Sequence, residues 1–270
     1  MTVRYAEVIG DPIAHSKSPL IHGFWLDALG IAGEYRATHV SADRLAGYFA
    51  ERRADPAWRG CNVTLPHKLA ALDHVADPGD VRGGIGAINT VFRGEGGAPT
   101  GTNTDAAGFW SPIAGLDLAD RRVAVVGSGG AARAVLWALA RVGVVHVTLL
   151  ARSPLKAAGL LARFALKGDV MPLDAPLPPA ALLVNASSLG MVGQPAFVPD
   201  LTRLPEDALV YDLVYAPLET PLLAAAHARG LETVDGLEML VAQAALAFEL
   251  FFGAQPPRER DEELRGLLTA

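Results

Sequence analysis

The run Arg122-Val-Ala-Val-Val-Gly127-Ser128-Gly129-Gly130-Ala131-Ala132-Arg133 constrains this chain more than any other segment. An apolar, valine-rich stretch enters a glycine-dense turn and leaves it with helix formers. Gly127 and Gly129 permit a tight turn and close backbone approach, while Ala132 lets the helix pack closely on the strand. Unpaired amides at the helix start can then cradle a pyrophosphate. A glycine turn alone is weak evidence, because a strand-to-helix turn without a ligand reads the same way. Here a strand precedes the turn, a helix over 131–142 follows, and a second strand comes at 146–150. That context predicts a dinucleotide-binding Rossmann unit.

The end of the second strand bears on which dinucleotide. An Asp or Glu there would hold a ribose diol. The chain instead runs Ala151-Arg152-Ser153-Pro154-Leu155-Lys156, with two cations, a hydroxyl and no carboxylate. These groups suit a 2′-phosphate, so NADP is the expected cofactor. Ser153-Pro154 also reads as a helix cap and first turn, and Arg152 and Lys156 also read as surface charges.

Composition sets outer limits. At 270 residues one large or two medium domains fit, and 51% hydrophobic against 19% charged residues favours packed cores over disorder. A net charge of −6 disfavours nucleic acid and anionic membranes as partners, while permitting a local basic pocket. Cys61 is the only cysteine, so an intramolecular disulfide is impossible and no metal site is expected. The start lacks the apolar core of a signal peptide. The longest apolar run, 239–252, is broken by Gln243 and Glu249 and is too short to span a bilayer. A cytoplasmic location is the default expectation.

Strands alternate with helices almost throughout, which predicts an α/β protein with mainly parallel sheets. The first part reads strand 5–9, helix 20–29, strand 35–39, helix 45–52 and a strand near 87–92, then a turn at Gly94-Glu-Gly-Gly97. The second adds strand 123–126, a helix at 154–164 and strands at 181–185 and 209–213. The proline-rich piece 172–179 reads as an exposed connector. The domain boundary falls within 105–120. Periodicity assigns the last helices, 237–252 and 258–268, to neither domain.

The first part carries its own polar groups. Cys61 to Leu65 alternates like a strand with Asn62 and Thr64 on one face, and Pro66 suits the first position of a helix through Leu69, Ala70, Leu72 and Val75. Lys68 would then occupy the first helical turn, where the dipole disfavours a cation by roughly 0.3–1 kcal/mol. Such a place suits an acid/base group, although Lys68 alone also reads as a solvated surface lysine. In His15-Ser16-Lys17-Ser18-Pro19, Ser18 reads as an N-cap, and two hydroxyls beside a helix start suit a small carboxylate. Asp105 reads as an ionised cap of the next helix that would orient Lys68 if within reach. Asn89 and Gln243 add amides, each of which also reads as a satisfied buried group. Hydroxyls for a carboxylate, amides for alcohols and a lysine near the redox carbon suit a small polyhydroxylated acid.

Several motifs together resemble the shikimate dehydrogenase family. They are Ser16-Lys-Ser18-Pro, Asn62-Val-Thr64-Leu-Pro-His-Lys68, Gly86-Ala-Ile-Asn89-Thr, Asn103-Thr-Asp105 and Gly127-Ser-Gly-Gly-Ala131. Asn185-Ala-Ser-Ser-Leu-Gly190-Met191, Tyr211-Asp-Leu-Val-Tyr215 and Asp235-Gly236-Leu-Glu-Met239-Leu-Val-Ala-Gln243 continue the series in the family's order. The resemblance implies NADP-dependent reduction of 3-dehydroshikimate to shikimate, in aromatic amino-acid biosynthesis. It implies Lys68 and Asp105 as the catalytic pair, and Ser16, Ser18 and Tyr215 on the substrate carboxylate. Thr64, Asn89, Asp105 and Gln243 would bind the ring hydroxyls, with Asn62 beside them. Gly127, Ser128, Gly129, Gly130 and Ala131 would bind the pyrophosphate, and Arg152, Ser153 and Lys156 the adenosine phosphate. Leu213, Gly236 and Met239 would lie near the nicotinamide, with Asp80 on the cofactor side. The family returns its C-terminal helices to the N-terminal domain, so the expected domains are 1–105 plus 238–270 for substrate and 106–237 for NADP, as a monomer or homodimer. A hinge is expected near Asp105 and Gly236. One departure matters: the family's phosphate motif usually begins Asn-Arg-Thr, and Ala151 here removes an amide contact. The alternatives are a quinate-accepting enzyme of relaxed cofactor choice and a non-catalytic NADP- or metabolite-binding sensor.

Overall fold

The structure, a computed structural model, describes residues 3–270. The chain forms two compact units, the first ending at Thr104 and resuming at Gln243, the second running Asp105–Ala242. Each is an α/β layer structure.

The first unit contains β1 (Arg4–Gly10), α1 (Ser18–Leu29), β2 (Gly33–His39), α2 (Leu45–Ala54), β3 (Trp58–Val63), β4 (Thr90–Arg93) and β5 (Pro99–Thr102). Its sheet runs β2-β1-β3-β4-β5, parallel as far as β3 and antiparallel from there. The antiparallel pairing of β4 with β5 follows from their short connection, where Gly96 and Gly97 take the positive φ that a tight turn requires. Trp58, Cys61, Val63 and Val91 pack against Tyr48 and Phe49 of α2. α1 turns Ile21, His22, Trp25 and Leu26 into the unit. The His22 ring stacks on Tyr35 at 3.9 Å, and complete burial pulls its pKa down to about 3, which keeps it neutral.

β1 also buries a carboxylate. Glu7 accepts hydrogen bonds from the Thr38 hydroxyl, from the Tyr48 phenol at 2.9 Å and from Arg52 Nε at 2.6 Å. Wholly buried, the charge is tolerated only because this set of donors surrounds it.

The second unit contains α3 (Asp105–Trp110), β6 (Arg122–Val126), α4 (Gly130–Leu139), β7 (His146–Leu150), α5 (Pro154–Arg163) and β8 (Gly168–Met171). β9 (Leu182–Asn185), β10 (Leu209–Asp212), α6 (Pro221–Ala228), β11 (Glu232–Val234) and α7 (Gly236–Phe252) complete it. The sheet order is β11-β10-β9-β6-β7-β8 with every pairing parallel. Counted along this unit that is 6-5-4-1-2-3, the Rossmann order. Alternation along β6 splits the core, Val123 and Val125 entering one cluster and Ala124 and Val126 the other. The proline-rich 172–179 segment is pinned through Leu177, which is buried in the second cluster. α7 begins in this unit and carries on past Gln243 into the first, where α8 (Asp261–Thr269) also belongs. Among the described residues no helix is long and apolar enough to cross a membrane.

Arg52→Ala strands the Glu7 charge, and we expect it to destabilise the first unit by about 3–5 kcal/mol in urea denaturation at pH 7. The paired change Glu7→Gln with Arg52→Met removes both charges and should recover much of that loss. A small effect of Arg52→Ala would show that the pair is solvated.

Candidate functional site

In the first unit Ser16 and Ser18 follow β1 and Thr64 and Lys68 follow β3, while Asn62 lies within β3, Asn89 just before β4 and Gln243 on α7. The helix expected from Pro66 does not form. Leu65-Pro66 is a cis peptide, the chain continues in turns, and only a short 3₁₀ helix, Ala70–Asp73, follows Lys68. Apolar residues three apart satisfy a 3₁₀ turn as well as an α-helix, and Ala71 and Leu72 supply the buried contacts while Leu69 stays exposed. The dipole argument for Lys68 therefore lapses. Its backbone is fixed instead by the segment leading into β4: the Ile88 amide donates to the Lys68 carbonyl at 2.7 Å. The buried His67 ring hydrogen-bonds the Val40 carbonyl through Nε2 at 2.5 Å. A carbonyl only accepts, so Nε2 must carry the proton. Lys68 itself is half-buried.

Ser18 is not the cap of α1 either. The cap position falls on Lys17, and the Ser18 amide is met by Ser16 Oγ at 3.3 Å. Ser18 is buried and its hydroxyl bonds Tyr35.

Next to them lies a buried set of neutral groups. Asn89 Oδ1 accepts from the Thr104 amide at 2.7 Å, which fixes the orientation of its side-chain amide. Asn89 Nδ2 then donates to Thr104 Oγ1 at 2.8 Å and Gln243 Oε1 at 3.3 Å. Tyr35 donates to Asn62 Oδ1 at 2.6 Å, and Asn62 Nδ2 reaches Thr90 Oγ1 at 3.1 Å. Burial first of all raises the Tyr35 phenol well above its usual range, so it remains a donor. Asn62, Asn89 and Gln243 are thus brought together, with Thr64 half-exposed one residue beyond β3. Sequence reasoning missed Tyr35, Thr90 and Thr104 as members of this set. The threonines sit within motifs already quoted, whereas nothing local marks Tyr35. Asp105 opens α3 in the second unit, where it is buried. Asp80 lies in the first unit on an exposed turn, its carboxylate accepting from the Gly83 amide at 3.0 Å.

In the second unit the glycine turn meets a steric demand. Gly127 has φ 110, and a Cβ there would lie 2.8 Å from the Ala186 carbonyl oxygen. α4 starts at Gly130 with Gly129 at its cap position, so no side chain satisfies its first amides. Ser153 occupies the cap of α5 but makes no side-chain cap bond, which frees its hydroxyl. Arg152, Ser153 and Lys156 are all exposed, while Ala151 packs into the core. An uncapped helix start, a position at Gly127 where no side chain fits and two exposed cations fit a phosphate-rich cofactor. Ser128 and Ala131 are half-buried beside this turn. Met239 is buried in the core, and a Cβ on Gly236 would lie 2.4 Å from the Leu213 carbonyl oxygen. Tyr215 is half-buried, and burial raises its phenol, leaving it a donor.

Below these loops, Asp212 ends β10 with no exposed surface. It accepts from Asn185 Nδ2 at 2.9 Å, the Val214 amide at 3.0 Å and Thr220 Oγ1 at 2.7 Å. Burial outweighs these donors and pushes its carboxyl up to about 6.

Residues 8–91 match the family model of the shikimate dehydrogenase substrate binding domain, and 236–264 match that of the shikimate 5′-dehydrogenase C-terminal domain. A shikimate dehydrogenase (NADP(+)) of Sphingopyxis alaskensis is 71% identical over 98% of this chain and 97% of its own. The chain belongs to the shikimate dehydrogenase family. The family's shikimate 5-dehydrogenase from Thermus thermophilus, solved with NADP(H) and shikimate, has a TM-score of 0.87 at 39% identity, covering 98% of this chain and 99% of that one. The 5-ketofructose reductase of a Gluconobacter species also has a TM-score of 0.87, at 29% identity and 99% of both chains.

The Asp212 carboxyl has a linked stability effect. Its folded value, about 6, lies above the ordinary 3.8, so its stabilisation is complete below pH 3.8 and is lost as pH rises through 6. A gap of about two pKa units corresponds to about 3 kcal/mol. Asp212→Asn does not titrate there, so its stability relative to wild type should rise by about that amount between pH 3.5 and pH 7.5. A stability difference independent of pH would refute the raised value.

Proposed function

We propose that this protein catalyses the reversible, NADP-dependent reduction of 3-dehydroshikimate to shikimate. The observation that carries the reading is the buried amide–hydroxyl set of Asn62, Asn89, Thr104 and Gln243 near Lys68, in a chain that shares 71% of its residues with an NADP-dependent family member. When bound, NADPH supplies the hydride that reduces the C3 carbonyl. Lys68 donates the proton that completes the new hydroxyl, with Asp105 as the second acid/base residue and a partner for a neighbouring hydroxyl. Ser16, Ser18 and Tyr215 take the substrate carboxylate. Thr64, Asn89 and Gln243 take the ring hydroxyls, and Asn62 supports them. Asn89 spends its side-chain amide on Thr104 and Gln243, so it contributes by aiming Gln243 at least as much as by direct contact.

For the cofactor, Gly127 to Ala131 hold the pyrophosphate, and Arg152, Ser153 and Lys156 hold the 2′-phosphate. Leu213, Gly236 and Met239 border the nicotinamide. A second reading, an enzyme that also accepts quinate or NAD, is favoured by one observation: Ala151 is buried where the family's amide would contact the phosphate.

Absorbance at the nicotinamide band, with shikimate and quinate each paired with NADP and NAD, tests both readings. Turnover of shikimate with NADP is expected to dominate. No turnover of shikimate with either cofactor would sink the proposal, and equal rates with quinate or NAD would select the second reading. Lys68→Met should lower kcat by about 10²–10⁴ while changing the shikimate KM far less. A kcat close to wild type would remove Lys68 from the proton transfer.

A further inference from the structure

The polar cluster beneath the second unit's loops has no part in the proposed chemistry, yet it is built at the place where that chemistry must be aimed. In a Rossmann sheet the dinucleotide crosses the carboxyl edge where the strand order reverses, here between β6 and β9. Arg152, Ser153 and Lys156 follow β7, so the adenosine end belongs on that side. The nicotinamide half therefore falls over the ends of β9 and β10. Those ends are Asn185 and Asp212, which are register partners.

We propose that Asp212 is a positioning residue for the nicotinamide half of the cofactor, locking the loops that follow β9 and β10 through Asn185, the Val214 amide and Thr220. The proposal rests on the NADP reading above. Asp212 has no exposed surface, so it acts only through what it holds. On one side Asn185 Nδ2 also donates to the Leu189 carbonyl at 2.9 Å, which closes the 186–189 loop. That loop's Ala186 carbonyl is also the group that bars a side chain at Gly127, whereas the glycine turn itself is held by its own strand and helix. On the other side the Val214 amide fixes the segment bearing Leu213. Thr220, which also caps α6 by accepting from the Leu223 amide at 3.2 Å, fixes the segment's far end. Three neutral donors converge on two carboxylate oxygens, an arrangement that sets direction in space without adding a surface charge.

Calorimetric titration of the full-length protein with NADPH and with adenosine 2′,5′-bisphosphate, which lacks the nicotinamide half, tests this. Asp212→Ala should weaken NADPH binding about tenfold while leaving the bisphosphate within about twofold of wild type. Asp212→Asn keeps an oxygen for Asn185 and Val214 and should restore most of the NADPH affinity. Equal weakening of both ligands would mean general loosening and would overturn the proposal, as would unchanged NADPH affinity in Asp212→Ala. If Asp212→Ala does not fold, shown by loss of bisphosphate binding and of cooperative unfolding, Thr220→Val is judged by the same two ligands and the same two outcomes. Wild-type protein that binds neither ligand would overturn the NADP reading, and this one with it.

Discussion

Parallel strands that pair in register deliver their loops to one edge, and both units of this protein depend on that constraint. In the second unit Val126, Asn185 and Asp212 are register partners, so the glycine turn and the two loops after β9 and β10 leave the sheet side by side. Sliding any one of these strands would break the ladder on both sides and exchange the side chains that fill its two core faces. In the first unit Ile9 pairs with Val63, and Gly10 and Thr64 leave β1 and β3 together. A side chain on Gly10 would lie 2.6 Å from the Thr64 methyl and 2.9 Å from the Leu65 carbonyl oxygen. Close approach at these strand ends is what places Thr64 and the Lys68 loop.

Each sheet also buries carboxylate or amide groups, and their partners separate frame from site. Glu7 faces a guanidinium, a phenol and a hydroxyl, and it is spent on holding α2 against the sheet. Asp212 faces only neutral donors, so burial prevails and its carboxyl sits at about 6. A group that costs stability at neutral pH and sits at the edge where loops emerge is better explained by the geometry it imposes than by its contribution to folding. Asn89 imposes geometry without that cost, because an amide gives and accepts hydrogen bonds without a charge to desolvate.

The second unit was largely legible in the sequence because its signals are local: a glycine turn, buried apolar strands of four or five residues and a cation pair where an acid would select NAD. Short polar strands escaped. β5, β8 and β11 hold three or four residues each and lack an apolar period, so only their pairing reveals them. The segment after Pro66 was misread because apolar spacing by three residues does not separate an α-helix from a 3₁₀ turn, and proline suits many starts. Ser18 was misread as a cap because the signal for a helix start is good to a residue or two at best. The network of Tyr35, Asn62, Thr90, Asn89, Thr104 and Gln243 escaped for a different reason. It joins residues from 35 to 243, and no window of sequence contains its geometry.

Losing the helix at Pro66 changes why Lys68 suits the proposed proton transfer. A dipole would have made the ammonium a stronger acid, yet reduction of a ketone does not require one. The alkoxide formed by hydride addition is far more basic than an amine, so any ammonium held at hydrogen-bonding distance gives up its proton downhill. What the protein must supply is position. The bonds that supply it are the Ile88 amide on the Lys68 carbonyl and the His67 ring on the Val40 carbonyl, which tie the loop to β2 and to the approach to β4. The oxidation direction makes the opposite demand, because there the lysine must first be neutral to accept a proton. On the proposed mechanism, a reversible enzyme built this way would owe its acid/base chemistry to the geometry of a loop, and its preferred direction to pH and substrate.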